Sequence, residues 1–154
     1  MLHQRKNKAM IEIDIDIKNA LKDIQDLKNK TSDMTPLMAR LSDIMHEAVT
    51  DNFQAEGRPK WKELSPLTIK RRKKMGYENK PILQNSGTLS RLEPHFGRDS
   101  AIVGTNVEYA RIHQFGGPAG RGKKVNIPAR PYLTLGDEAL GEIEDAVAKW
   151  LNKE

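Results

Sequence analysis

Residues Met10 to Lys18 alternate strictly: Ile11, Ile13, Ile15 and Ile17 are apolar, and Glu12, Asp14, Asp16 and Lys18 are polar. A period of two carried by β-branched residues predicts a half-buried strand. At Asn19 the period changes. Ala20, Leu21, Ile24 and Leu27 recur at helical spacing and predict a short helix to about Lys28. Thr35-Pro36 opens a second helix, with Thr35 as N-cap and Pro36 in the first helical position. Its apolar stripe is Leu37, Met38, Leu41, Ile44, Met45, Ala48 and Val49, and it ends before Gly57. This is the expected long central helix.

Between Gly57 and Pro81 the pattern is irregular, except that Ser65-Pro66 opens a short helix carrying Lys70-Arg71-Arg72-Lys73-Lys74 and stopping at Gly76. Ser86-Gly87 marks a turn between Leu83 and Leu89. Ser100 to Val103 reads as a short strand, with His95-Phe96 as its hairpin partner and Gly97 to Asp99 as the turn. Val107 to Phe115 reads as a helix capped by Asn106 and ended by Gly116. A glycine-rich basic loop follows, and then Ile127 to Leu133, an extended stretch stiffened by Pro128 and Pro131. Asp137 to Leu151 is the closing helix, acidic in its first turn, with Leu140, Ile143, Val147 and Leu151 on one face. The elements add up to an α+β fold: a small antiparallel sheet packed against a long central helix and a C-terminal helix. The expected division is a flexible extension over residues 1–9 and one domain over 10–154.

Composition narrows the chemistry. With 37% hydrophobic residues and 5% aromatics in 154 residues, the core has to be built from Ile, Leu, Val and Met. No apolar run approaches the ~20 residues of a membrane span. The N-terminus has basic residues but no apolar segment of the secretory kind, so folding in the cytoplasm is expected. Zero cysteines exclude disulfides and thiolate metal sites. The net charge of +5 is unevenly spread. Arg58 to Lys80 holds nine Lys/Arg against two acids, and Asp137 to Glu154 six acids against two lysines. Such a split suits nucleic-acid binding, and equally head-to-tail contact between identical subunits.

The five cations Lys70 to Lys74 surround their helix, so they cannot all enter one groove. They could neutralise phosphates without reading sequence, or face solvent or an acidic neighbour. His3, His46, His95 and His113 show no metal-ligand spacing, and His113 suits a hydrogen-bonding structural role. Asp14 and Asp16 read as solvent-facing strand residues before a metal site. Gly116 to Lys124 has four glycines and three cations in nine residues without a phosphate-loop pattern. It reads as a mobile loop, costly to order without a partner. No nucleophile–base set, cofactor site or metal site emerges, and an enzyme is not expected.

Four stretches in order carry a resemblance. Trp61-x-x-Leu64-Ser-Pro66-x-Thr68 precedes the basic helix, and Leu83-x-x-Ser-Gly87-x-Leu89 follows it. Tyr109-Ala-x-Ile-His113-Gln-Phe115-Gly116 and Ile127-Pro128-Ala-Arg130-Pro131-Tyr132-Leu133 come last. Together, over about residues 34 to 152, they resemble the phage virion morphogenesis family of Mu-like and related tailed phages. The resemblance implies a virion structural protein of the neck or tail end, assembled in the host bacterial cytoplasm. Its role would be tail completion and head–tail joining through a ring of about six copies. The implied partners are further copies of itself and neighbouring neck, connector and tail proteins. Non-specific DNA contact by residues 58–80 is the competing reading. Arg71, Arg72, Lys73 and Lys74, with Arg121, Lys123 and Lys124, are the expected contact residues. Arg130 and Tyr132 join them as a rigid edge, because residues before proline avoid the α region. Burial of Ile127 and Leu133 by a stiff connector is the alternative.

Overall fold

The computed structural model describes residues 18–152. The alternating strand of Met10 to Lys18 and the 1–9 extension lie outside these residues, except Lys18, which is already helical. The chain divides into two units, Met1–Ser32 and Asp33–Glu154.

In the first unit, helix α1 spans Lys18–Ser32 and exposes Leu21, Ile24 and Leu27 along one stripe. It runs four residues past the expected end at Lys28. The hydroxyls of Thr31 and Ser32 donate to the carbonyls of Leu27 (3.0 Å) and Asn29 (2.6 Å), satisfying acceptors in the last turn.

The second unit is built on α2 (Thr35–Gln54). Its cap differs from expectation. Met34 occupies the N-cap position without a side-chain bond, and Thr35 is the first helical residue. The acceptor is one residue further back: Asp33 Oδ1 takes the Thr35 N–H at 3.0 Å. Hydrogen bonds from the Thr35 side chain and backbone hold the Asp33 carboxyl below its ordinary value. Ser65 caps α3 (Pro66–Lys74) as expected, accepting from the Thr68 N–H.

Helix α2 is flanked by the hairpin β1 (Glu93–Phe96)–β2 (Ala101–Gly104) and by α5 (Asp137–Asn152). The hairpin is antiparallel, with His95 opposite Ile102 and its turn closed by the Gly97 N–H to Ser100 carbonyl bond at 2.8 Å. This is the α+β arrangement the pattern predicts. Two apolar clusters hold it. Val49, Phe53, Trp61, Leu89, Leu92, Ala110 and Tyr132 form the larger. The Phe53 ring meets Trp61 edge-on (centroids 5.8 Å apart) and Tyr132 tilted (5.1 Å). Fully burying one such side chain is worth about 1.5–3 kcal/mol. The smaller cluster joins α2 to α5 through Ile44, Ala48 and Ala139, with Leu41, Leu135 and Ile143 at its margin. Two of the three buried residues there are alanines, which let the helices approach closely beside Ile44.

Helix α4 (Ala110–Phe115) starts later than its pattern suggests. Val107 to Tyr109 form a turn, and the Val107 N–H bonds to Thr105 Oγ1 at 3.3 Å, so Thr105 and not Asn106 organises the entry. The expected glycine-rich loop is folded as a hairpin. Strand β3 (Gly117–Ala119) pairs antiparallel with β4 (Val125–Ile127) across a 3₁₀ turn at Arg121–Lys123. Only Ile127 of the Ile127 to Leu133 stretch is therefore strand. Residues 128–133 run as irregular backbone whose side chains Arg130 and Tyr132 point inward.

Candidate functional site

The four sequence motifs are far apart in the chain and meet in space. The third and fourth interlock directly. Helix α4 ends at Gly116 with φ +70°, and a Cβ there would stand 2.6 Å from the Ala129 nitrogen and 2.8 Å from the Ile127 carbonyl oxygen. Glycine is required by both the left-handed backbone and the close approach. The Arg130 N–H then donates to the His113 carbonyl at 2.8 Å. Gln114 Oε1 accepts from the backbone N–H groups of Tyr132 and Leu133, each at 3.0 Å. Tyr132 returns the contact through its hydroxyl, which donates to the Ala110 carbonyl at 3.2 Å.

The first motif closes on the same segment. Trp61 Nε1 donates to the Pro131 carbonyl at 2.9 Å. Arg130 reaches back with Nε to the Lys62 carbonyl (2.9 Å) and Nη2 to the Glu63 carbonyl (3.1 Å). From α2, Asn52 Nδ2 donates to the carbonyls of Tyr132 and Thr134 at 2.8 and 2.9 Å. The second motif is tied in by Gln84 Nε2, which donates to the Phe53 carbonyl at 2.9 Å. Glu56 contributes as well, accepting the Ile82 N–H at 2.7 Å.

These ties leave a cleft of about 750 Å³, within the usual range of ligand-binding clefts. Leu64, Pro66, Leu83 and Leu89 supply apolar wall from the first two motifs. Tyr109 and His113 line it from the third, and Pro128 and Arg130 from the fourth. Trp61 and Pro131 act behind the wall, through the bond between them. Gly87 forms the turn with φ +72°, and Phe115 stands 71% exposed on the outer side of α4.

The cleft is electropositive, and two buried polar atoms of its lining residues have no partner. Lys62, Arg72 and Arg130 line it against a single acid, Glu63. Arg72 is 7% exposed, and its Nη2 donates to the carbonyls of Lys80 and Pro81. Its Nε has no partner, and neither has His113 Nδ1. Burial, and then the charge of Arg130, hold the His113 imidazole below its ordinary pKa, which keeps it neutral. The hydrogen-bonding role expected of this ring is taken instead by the His113 backbone carbonyl. Burial also lowers the Arg130 pKa and raises that of Tyr132.

The residues expected at a partner interface divide into two sets. Arg71, Lys73 and Lys74 on α3 are exposed, as are Arg121, Lys123 and Lys124 on the β3–β4 hairpin. Arg72, Arg130 and Tyr132 are buried at 7%, 4% and 1% exposure. The rigid outer edge expected from Arg130 and Tyr132 is not formed, because both side chains make the internal bonds just described. Asn52 lies outside the four motifs; it stands one helical turn after Ala48 on the apolar stripe of α2, and a polar residue in such a place is the available signal. Gln114 lies within the third motif, but its spacing does not mark the bonds it makes to Tyr132 and Leu133. Among the described residues, no group of three or more His, Cys, Asp or Glu is placed to hold a metal ion. No helix among them is long and apolar enough to cross a membrane.

The profile of the phage virion morphogenesis family matches residues 15–152. Mu-like prophage FluMu G protein 2 of Haemophilus influenzae Rd is 40% identical over 144 residues, spanning 88% of this chain and 95% of that protein. The putative capsid assembly protein G of Escherichia phage Mu is 35% identical over 91 residues, 58% of each chain. Mu-like prophage FluMu G protein 1, also of Haemophilus influenzae Rd, is 31% identical over 110 residues, 70% of each chain. No solved structure matches the chain at a significant level. Matched over nearly its whole described length, with all four motifs inside the match, the chain belongs to the phage virion morphogenesis family.

Proposed function

We propose that this protein is a non-enzymatic structural component of a phage virion, acting at the neck or tail end in tail completion and head–tail joining. It works as a closed ring of identical subunits in contact with neighbouring neck, connector and tail proteins. Family membership supports the virion role, as does the description of the phage Mu relative as a putative capsid assembly protein. The observation that carries the reading is the convergence of four separated motifs on one open cleft. Their hydrogen bonds go to backbone groups of this chain, so the polar side chains of the motifs shape a binding surface. A heterologous contact repeated by rotation closes a ring, and the uneven charge of the chain suits one.

Electron microscopy of particles made without this protein tests the assignment. Tails without attached heads are the expected result, and normal complete virions would overturn it. DNA binding by the free protein that falls steeply with salt, with no oligomer at any concentration, would favour the nucleic-acid reading instead.

A further inference from the structure

The cleft has one wall made of strand edge. Val125, Asn126, Ile127 and Pro128 all line it. Successive side chains of a strand point to opposite faces, so the three consecutive lining residues of β4 place its edge, not one face, along the cleft. The pairing says which backbone groups lie there. Pro118 is opposite Asn126. A proline within a sheet turns its missing N–H away from its partner, and in an antiparallel ladder directly opposed residues share that orientation. The N–H and C=O of Asn126 therefore face outward from β4. An open strand edge of this kind is a template for one more strand.

The side chains around this edge define what the added strand must carry. Leu64, Leu83 and Leu89 ask for apolar side chains, while the positive charge of Lys62, Arg72 and Arg130 along the lining asks for anions. Among the described residues neither Arg72 nor Arg130 has a carboxylate partner; both guanidinium groups are bonded to carbonyls. A segment alternating apolar and acidic residues meets both demands, and this chain has one. Ile11-Glu12-Ile13-Asp14-Ile15-Asp16-Ile17 carries four isoleucines and three carboxylates at a period of two.

We propose that residues Ile11–Ile17 of one copy add as a strand to the β4 edge of a second copy, filling the cleft and linking neighbours in the assembly. This rests on the oligomeric reading above and names the contact that would build it. Main-chain pairing to Asn126 supplies affinity, and the isoleucine–carboxylate alternation fixes register and face. A strand donated in one direction and received in the other is a heterologous contact, the kind that repeats around a ring.

The absence of native cysteines permits a clean test on the full chain. Glu12→Cys, Asp14→Cys and Asp16→Cys proteins are each mixed with an Asn126→Cys protein and oxidised, with Glu144→Cys on α5 as the control partner. The expected result is a disulfide between separate chains for at least one of the three, several-fold above the control. In parallel, the full chain carrying Glu12→Lys, Asp14→Lys and Asp16→Lys should self-associate at least about tenfold more weakly by sedimentation. Oligomers that form normally, with no cross-link above the control and no effect of charge reversal, overturn the strand contact and leave the ring reading standing. Cross-links found only within one chain, in a protein carrying both cysteines at high dilution, overturn the exchange between copies. A full chain that sediments as a monomer at every concentration overturns both.

Discussion

Arg130 shows how a residue's type can be informative while its placement is not. Flanking prolines and a positive charge suggested a presented edge, yet the guanidinium bridges two carbonyls 67 and 68 residues earlier in the chain. No local pattern encodes a partner so remote. Arg130→Met should lower unfolding stability by about 2–4 kcal/mol, since it orphans both carbonyls. An unchanged chemical-denaturation midpoint would show that the arginine acts elsewhere. Gly116 and Gly76 make a second comparison. Both have φ near +70°, but an added Cβ meets backbone at Gly116 and nothing within 4 Å at Gly76. Gly76→Ala should cost about 1 kcal/mol from strain alone, and Gly116→Ala clearly more. Equal melting temperatures for the two variants would contradict the interlock of α4 with residues 127–129. His113 gives a pH dependence. Its folded-state pKa lies below the ordinary 6.5, so the unfolded chain binds the extra proton first. Its contribution is intact above pH 6.5 and is lost as pH falls through the folded value. His113→Gln should flatten the stability–pH curve on the acid side of 6.5 relative to the parent protein.

Elements were legible where their pattern was long. Helices α2, α3 and α5, and the β1–β2 hairpin, lie where periodicity and turn residues put them. The start of α4 and the β3–β4 hairpin do not. Three-residue strands are too short to show a period, and Gly120, Gly122 and Lys123 turn the hairpin with positive φ, which in sequence reads as a loop. The α2–α5 contact buries the small Ala48 and Ala139 beside Ile44, so Ala139→Leu should overpack it at a cost of about 1–3 kcal/mol. The stability of the variant against denaturant measures that, and a neutral result would mean the pair is looser than its burial indicates. On α3, Lys73 and Lys74 are exposed, and in the ring proposed above they would face an acidic neighbour. Exposed ion pairs contribute only ~0–1 kcal/mol each, so charge there sets register and speed more than affinity. Lys73→Glu with Lys74→Glu should weaken oligomer formation at low salt and approach the parent protein at high salt. Sedimentation across a salt series decides it; identical behaviour at every salt would remove α3 from the interface.

At the scale of the molecule, fold class and family could be read from residues 34 to 152, because motif order and spacing survive in one dimension. The cleft could not, since it exists only as the meeting of four stretches whose mutual contacts are mostly hydrogen bonds from a side chain of one stretch to the backbone of another. Those stretches begin near Trp61 and end at Leu133, which has a consequence in time. During synthesis the first wall emerges long before Arg130 can clasp the Lys62 and Glu63 carbonyls. A chain that ends before Arg130 therefore lacks the finished cleft. Under the strand contact proposed above, only a subunit made past the fourth motif would accept a neighbour, and the clasp would then act as a check on completeness that keeps truncated copies out of a growing particle.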